Sequence, residues 1–132
     1  MVRGVRGRWA LVVVAGVFLV RGAGRLAAWD YTVPSFAVWG YPAWVAALVA
    51  ALEILGAVLI LATPRWRTGA GFLALAAGAL VATHVVFADG WRAVASDLLP
   101  LAALAMAVAV SYTHLTLPTS KPKCRYRWWP WD

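Results

Sequence analysis

The sequence predicts an all-α membrane protein, a four-helix transmembrane bundle. Its 132 residues are 64% hydrophobic and 13% charged, with mean hydropathy +0.77. Soluble domains average about 45–50% apolar and about 25% charged residues. The apolar residues fall in four runs of about 17–21 residues, each enough to cross ~30 Å of hydrocarbon at about 1.5 Å per residue. Nine Trp suit interfacial belts, because indole joins an apolar body to a polar N–H. No run alternates with period two, so a β-barrel is not expected.

The first span is Trp9 to about Trp29, opened by Arg3, Arg6 and Arg8. A cleaved signal peptide is the rival reading of this end: a basic start, apolar Trp9–Val20, then small residues. Arg21 and Arg25 stand where a small-residue cleavage site is needed, which argues against it. The second span is Ala43 to Ala62, followed by a Pro64-Arg65-Trp66-Arg67 turn. The third is Gly69 to Ala88, closed by an Asp89-Gly90 turn. The fourth begins near Trp91 or Ala93 and reaches Ala109. Arginines cluster at the N-terminus and in the second connection. That asymmetry predicts both termini in the cytoplasm and the first and third connections outside, as in a bacterial inner membrane.

Small residues mark the expected helix contacts. Ala46, Ala50, Glu53 and Ala57 share one face of the second span, and Ala70, Ala74, Gly78 and Ala82 form an i+4 ladder in the third. Small faces let backbones approach closely in lipid.

The net charge of +7 would suggest nucleic acid in a soluble protein. Here the arginines flank apolar runs and serve as topology signals, so no nucleic-acid partner is expected. The single Cys124 excludes a disulfide framework and a CxxC redox pair. No His/Cys/carboxylate spacing suits zinc, one credible His cannot give bis-His haem, and phosphate-loop and GxSxG motifs are absent. No metal site is expected.

The apolar pattern stops at Val110. The stretch Val110–Thr119, VSYTHLTLPT, resembles a translated sequencing adaptor, and Cys124–Trp129 resembles its continuation with a departure at Tyr126. The expected division is therefore 1–109 as the transmembrane domain and 110–132 as an adaptor-derived, non-native tail. His114 and Cys124 then drop out as ligands, and Lys121, Lys123, Arg125 and Arg127 drop out as a lipid-binding patch. Without the tail, eight Arg stand against Asp30, Glu53, Asp89 and Asp97, a net of +4.

Glu53 lies at the centre of the otherwise uncharged second span. A carboxylate there costs roughly 2.5–3.5 kcal/mol on insertion scales, so it calls for a partner or a task. Counted from the outer end at about 1.5 Å per residue, Arg21 lies roughly 12 Å deep, Arg25 roughly 6 Å, Glu53 roughly 15 Å, His84 roughly 6 Å and Asp97 roughly 9 Å. All five fall in the outer half, one or two on each helix. Arg21 and Arg25 are four apart and share a face. Depth pairs Arg21 with Glu53 and leaves Arg25 for Asp97 or His84. The planar guanidinium suits a carboxylate because it bonds bidentately and stays charged. Each residue also has a plainer reading. Glu53 staples helices, the arginines snorkel, His84 packs, and Asp97 caps a helix starting at Ser96–Asp97.

Taken in order, Phe18–Leu26, Phe36–Pro42, Leu52–Ile60, Ala82-Thr83-His84 and Ser96-Asp97-Leu98 resemble the motifs of the DoxX/DoxX-like family of small four-helix bacterial membrane proteins. The likeness covers about residues 8–109. The family commonly has Lys where this chain has Arg25. The resemblance implies an accessory or quinone-linked subunit of a membrane redox system, at most one part of an oxidoreductase, with membrane or periplasmic redox partners and possible self-association. In that setting Arg21, Arg25 and Asp97 would bind substrate, Glu53 and His84 would relay protons, and quinone is the implied small molecule. A non-enzymatic scaffold and a small transporter are the alternatives. Unbroken short helices count against the transporter.

Overall fold

The computed structural model describes residues 3–116, with side chains described for residues 8–113. Among them are five helices: α1 (Arg3–Ala27), α2 (Trp29–Ala37), α3 (Ala43–Ala62), α4 (Trp66–Val86) and α5 (Trp91–Thr116). All but α2 are long and apolar enough to cross a membrane. This is a multi-pass, all-α membrane protein. The strongest contacts run α1 to α3, α3 to α4, α4 to α5 and α5 back to α1, a four-cornered bundle. Short α2 packs across one end, on α3 and α1.

The long helices place large apolar side chains outward, including Val13, Val20, Leu55, Leu75, Leu99 and Met106. That surface suits lipid, where leucine gains nothing by hiding. The interior mixes small residues with Leu11, Phe18, Ile60, Leu73 and Leu104. Ala46, Ala50, Glu53 and Ala57 are fully buried, so the predicted small face of the second span is its contact face. Its tightest crossing is α3 on α4. A Cβ added at Gly56 would lie 2.8 Å from the Gly69 carbonyl oxygen, and one at Gly69 would lie 2.5 Å from the Gly56 carbonyl oxygen.

The i+4 ladder expected in the third span is not the contact face. Ala70 is buried, but Ala74 and Ala82 are exposed. A strict four-residue step advances the helix by about 40° each time, so such a row turns off any one face. The buried stripe instead runs Gly69, Ala70, Leu73, Ala76, Ala77, Leu80, Thr83, alternating steps of three and four.

Boundaries differ from the hydropathy reading at several points. The helix preceding the first connection ends at Ala27, and the connection is itself helical as α2. Thr32 ties the two together, its hydroxyl donating to the carbonyls of Arg25 and Ala28 at 3.0 Å each. Helix α4 starts at Trp66 and ends two residues before Ala88. Helix α5 begins at Trp91, which places Asp97 well inside it and rules out a capping role. It also runs through Val110 to Thr116. No proline interrupts it there, and Ser111 and Thr113 turn their hydroxyls back onto the carbonyls of Ala107 and Val110. Residues 117–132, most of the expected tail, lie outside the described residues.

Candidate functional site: a buried charge chain at the α2 end

Helix α1 brings both arginines to the bundle interior because Gly22 lets it lie directly on α3. A Cβ at Gly22 would sit 3.0 Å from the Ala50 carbonyl oxygen and 3.1 Å from Glu53 Cβ. Arg21 and Arg25 flank that contact. Arg25 Nε donates to Glu53 Oε2 at 3.0 Å, and Arg21 Nε lies 3.6 Å from Glu53 Oε1. Arg21 Nη2 bonds to Asp97 Oδ1, and Arg25 Nη2 lies 3.8 Å from the same oxygen. Glu53 is 0% exposed and Asp97 2%, so the carboxylates are interior while the guanidiniums reach them from the rim.

The depth count therefore gathers the right groups and misassigns the closer pairs. Glu53 bonds to Arg25, and Arg21 bonds to Asp97. Side chains lean toward the N-terminus of their own helix. Antiparallel α1 and α3 lean their side chains toward each other, so Arg25 reaches down and Glu53 reaches up. Counting Cα positions omits that displacement.

Pro100 supplies a second, unforeseen anchor. It lies inside α5 and has no N–H, so the carbonyl four residues earlier loses its helical donor. That carbonyl is Ser96, and Arg21 Nη1 donates to it at 2.8 Å. One guanidinium thus ties the Asp97 side chain and the adjacent backbone. Pro100→Ala should return Ser96 to its helical bond and free Arg21 to reorient. The expected result is a straighter α5 and an altered Arg21 Nε resonance in NMR spectra of the micelle-bound protein. An unchanged Arg21 resonance would count against the anchor.

His84 completes the chain. Its Nε2 lies 3.0 Å from Asp97 Oδ2 and its Nδ1 3.0 Å from Asp89 Oδ2. Asp89 is placed by the end of α4. The Asp89 N–H bonds to the His84 carbonyl and the Ala88 N–H to the Val85 carbonyl, with Ala88 at φ 51°. This double closure by a left-handed residue is a Schellman turn, and it folds Asp89 back beside the histidine. Trp39 fixes the same carboxylate, Nε1 donating to Asp89 Oδ2 at 2.7 Å, and stands edge-on to the His84 ring with centroids 4.9 Å apart. Gly40, at φ 75°, turns the chain out of α2 so that Trp39 packs edge-on and Tyr41 tilted against Phe36. Tyr41 also reaches Thr83, one residue before His84, at 3.2 Å.

All five residues singled out in the sequence meet here. Sequence reading missed Asp89, Trp39 and Pro100. The first two sit in connections, where nothing in a hydropathy pattern marks a pairing. Pro100 was visible as a proline within an apolar run, four residues after Ser96. Among the described residues no group of His, Cys, Asp and Glu is arranged to hold a metal.

Charge and hydrogen counting constrain the site further. Each ring nitrogen of His84 faces a carboxylate oxygen, and an ionised carboxylate only accepts. Two filled bonds need two protons across Asp89, His84 and Asp97. A doubly protonated ring provides them and leaves three positive groups against three negative ones. Otherwise one carboxyl carries the second proton. Two buried atoms also remain without a hydrogen bond, the Arg21 Nε donor and the Glu53 Oε1 acceptor. They face each other across the 3.6 Å gap, too long for a bond.

No family model, curated protein or solved structure matches the chain.

Proposed function

We propose that this chain is a DoxX-like, quinone-linked accessory subunit of a membrane redox system, resident in a bacterial inner membrane with both termini cytoplasmic. The observation that carries the proposal is the hydrogen-bonded series Asp89–His84–Asp97–Arg21, which leads from a connection into the bundle and stops 3.6 Å short of the Glu53–Arg25 pair. An imidazole between two carboxylates passes protons without moving far, and buried carboxylates in membrane proteins commonly serve proton traffic. The orphaned Arg21 Nε and Glu53 Oε1 are a donor and an acceptor that would suit a quinone oxygen in both its states, and because both are buried a quinone must part their 3.6 Å contact to reach them. The carbonyl accepts from Nε–H, and the hydroxyl of the reduced form donates to Oε1. The substrate takes two electrons from a partner redox subunit and two protons; in this reading Glu53 gives one proton directly, His84 and Asp97 bring the other to the same pocket, and Arg21 stays charged and only holds the oxygen.

Glu53→Gln and His84→Gln should each lower quinone reduction by the assembled complex at least roughly tenfold, within the usual range for losing a proton-transfer group. Turnover would be followed with a short-chain quinone while subunit stoichiometry is held constant. Unchanged turnover in both variants would refute the relay.

A second reading is a scaffold in which the charges only fix helix packing. It is favoured by one specific feature: the ion pairs join α1 to α3 and to α5, the neighbours on either side of it. In that case neutralising Arg25 and Glu53 together, the bonded pair, restores the expression that either single change loses, and turnover is restored with it.

A further inference from the structure

The opposite end of the bundle carries a feature unrelated to the charge chain. Between α4 and α5 runs a groove of about 310 Å³, walled by Ala70, Gly71 and Ala74 on one side and Leu101, Ala105 and Val108 on the other, with Arg67 at its end. Small residues on α4 make it: Gly71 has nothing within 4 Å of where a Cβ would be. The walls are apolar and the groove opens on the surface that faces lipid.

Arg67 differs in kind from Arg21 and Arg25. Its guanidinium lies over the rings of Trp66 (5.6 Å) and Tyr112 (4.9 Å) and makes no hydrogen bond or ion pair among the described residues. The carboxylates of the described residues, Asp30, Glu53, Asp89 and Asp97, all belong to the middle or the other end of the bundle. Arg65 and Arg8 add positive charge at this end without an acidic counterpart among the described residues. The two rings hold the guanidinium by cation–π attraction, and Arg67 is exposed, so its N–H donors stay open. Those donors match a phosphate bidentately.

We propose that this groove is a binding site for an anionic phospholipid, with an acyl chain between α4 and α5 and the headgroup phosphate on Arg67. Basic pockets between transmembrane helices are suited to anionic headgroups, and an unpaired cation near the membrane surface gains most from such a lipid. A second copy of this chain fits less well. A two-fold axis along the membrane normal through this groove would bring two Arg67 side chains to the same membrane face with no acid between them. Trp66 and every wall residue precede Val110, and of the groups around Arg67 Tyr112 alone falls in the stretch expected to be adaptor-derived. The site is independent of the redox reading.

The test uses the full chain in detergent micelles, titrated with phosphatidylglycerol or with phosphatidylcholine of identical acyl chains and read by native mass spectrometry. Phosphatidylglycerol should bind at least roughly tenfold more tightly, the range of one charge-assisted hydrogen bond. Arg67→Gln should erase that preference. Arg92→Gln should keep it, since Arg92 also lies over a tryptophan, Trp91 at 5.6 Å, but does not line this groove. Ala105→Phe, which fills the groove without touching the charge, should weaken both lipids. No preference in the unaltered chain, or a preference that survives Arg67→Gln, would overturn the proposal. Full lipid affinity in Ala105→Phe would overturn the groove's part in it. Disulfide-linked dimers of Ala74→Cys made together with Cys124→Ser in phosphatidylglycerol nanodiscs would assign the groove to a second copy and overturn it as well.

Discussion

Gly69→Val should prevent the bundle from accumulating in folded form. The reason is local and backbone-borne. A single Cβ at Gly69 would stand 2.5 Å from the Gly56 carbonyl oxygen, 3.0 Å from Ile60 Cγ1 and 3.0 Å from Leu59 Cβ. No rotamer change relieves a clash with a carbonyl, so α3 and α4 must separate. Overpacking a core by a methylene or two costs about 1–3 kcal/mol when side chains absorb it; here the main chain must move, and the cost should exceed about 3 kcal/mol. Separation also forfeits the packing on which transmembrane helix association depends, because lipid offers no hydrophobic drive to restore it. Gly71→Val is the matched control, since its Cβ meets nothing within 4 Å. Fluorescence-detected size exclusion should give a monodisperse peak for Gly71→Val and an aggregated or absent one for Gly69→Val. Equal peaks would mean that the helices do not cross where Gly56 and Gly69 meet.

The contrast between these two glycines marks how far the sequence could be read. Span count, span class and the buried face of α3 follow from composition and spacing, because a bilayer-length apolar run has few alternatives. The second span was placed at Ala43–Ala62 and forms at Ala43–Ala62. Which face of α4 packs was not legible. Ala70, Gly71, Ala74 and Gly78 look alike in sequence, and only the rotation of the helix separates contact from lipid. The charge layer was legible for a stronger reason, since ionisable groups in apolar spans must converge or be expelled. Its wiring was not. Arg25 rather than Arg21 holds Glu53 because of side-chain lean, and Arg21 settles on Ser96 because Pro100 removes a donor. Asp89 joins through a Schellman turn built on Ala88, a residue with none of the glycine signal that usually announces such a turn.

Glu53→Gln should be among the most destabilising single changes at the charge chain, and Arg25→Gln added to it should recover most of the loss. Glu53 is fully buried and is approached by two guanidiniums, at 3.0 and 3.6 Å. Removing its charge leaves Arg25 without its closest counter-ion and Arg21 with Asp97 alone. Breaking a buried pair this way costs about 3–5 kcal/mol, mostly from the stranded partner rather than from the lost attraction. Arg25 is 21% exposed at its side chain, so water reaches part of it and the figure belongs at the low end, about 3 kcal/mol. Neutralising Arg25 as well removes the stranded charge, and the double variant should lie within about 1–2 kcal/mol of the starting protein. Reversible unfolding in mixed micelles, followed by tryptophan emission, measures all four corners of the cycle. A single variant within about 0.5 kcal/mol of the unaltered chain would show that Glu53 carries no structural charge pair. The same double variant separates the two functional readings. If packing is the whole role, a stable Glu53→Gln/Arg25→Gln bundle restores turnover in the complex. If Glu53 passes protons, stability returns while turnover stays low, because an amide cannot take up and release a proton as a carboxylate does.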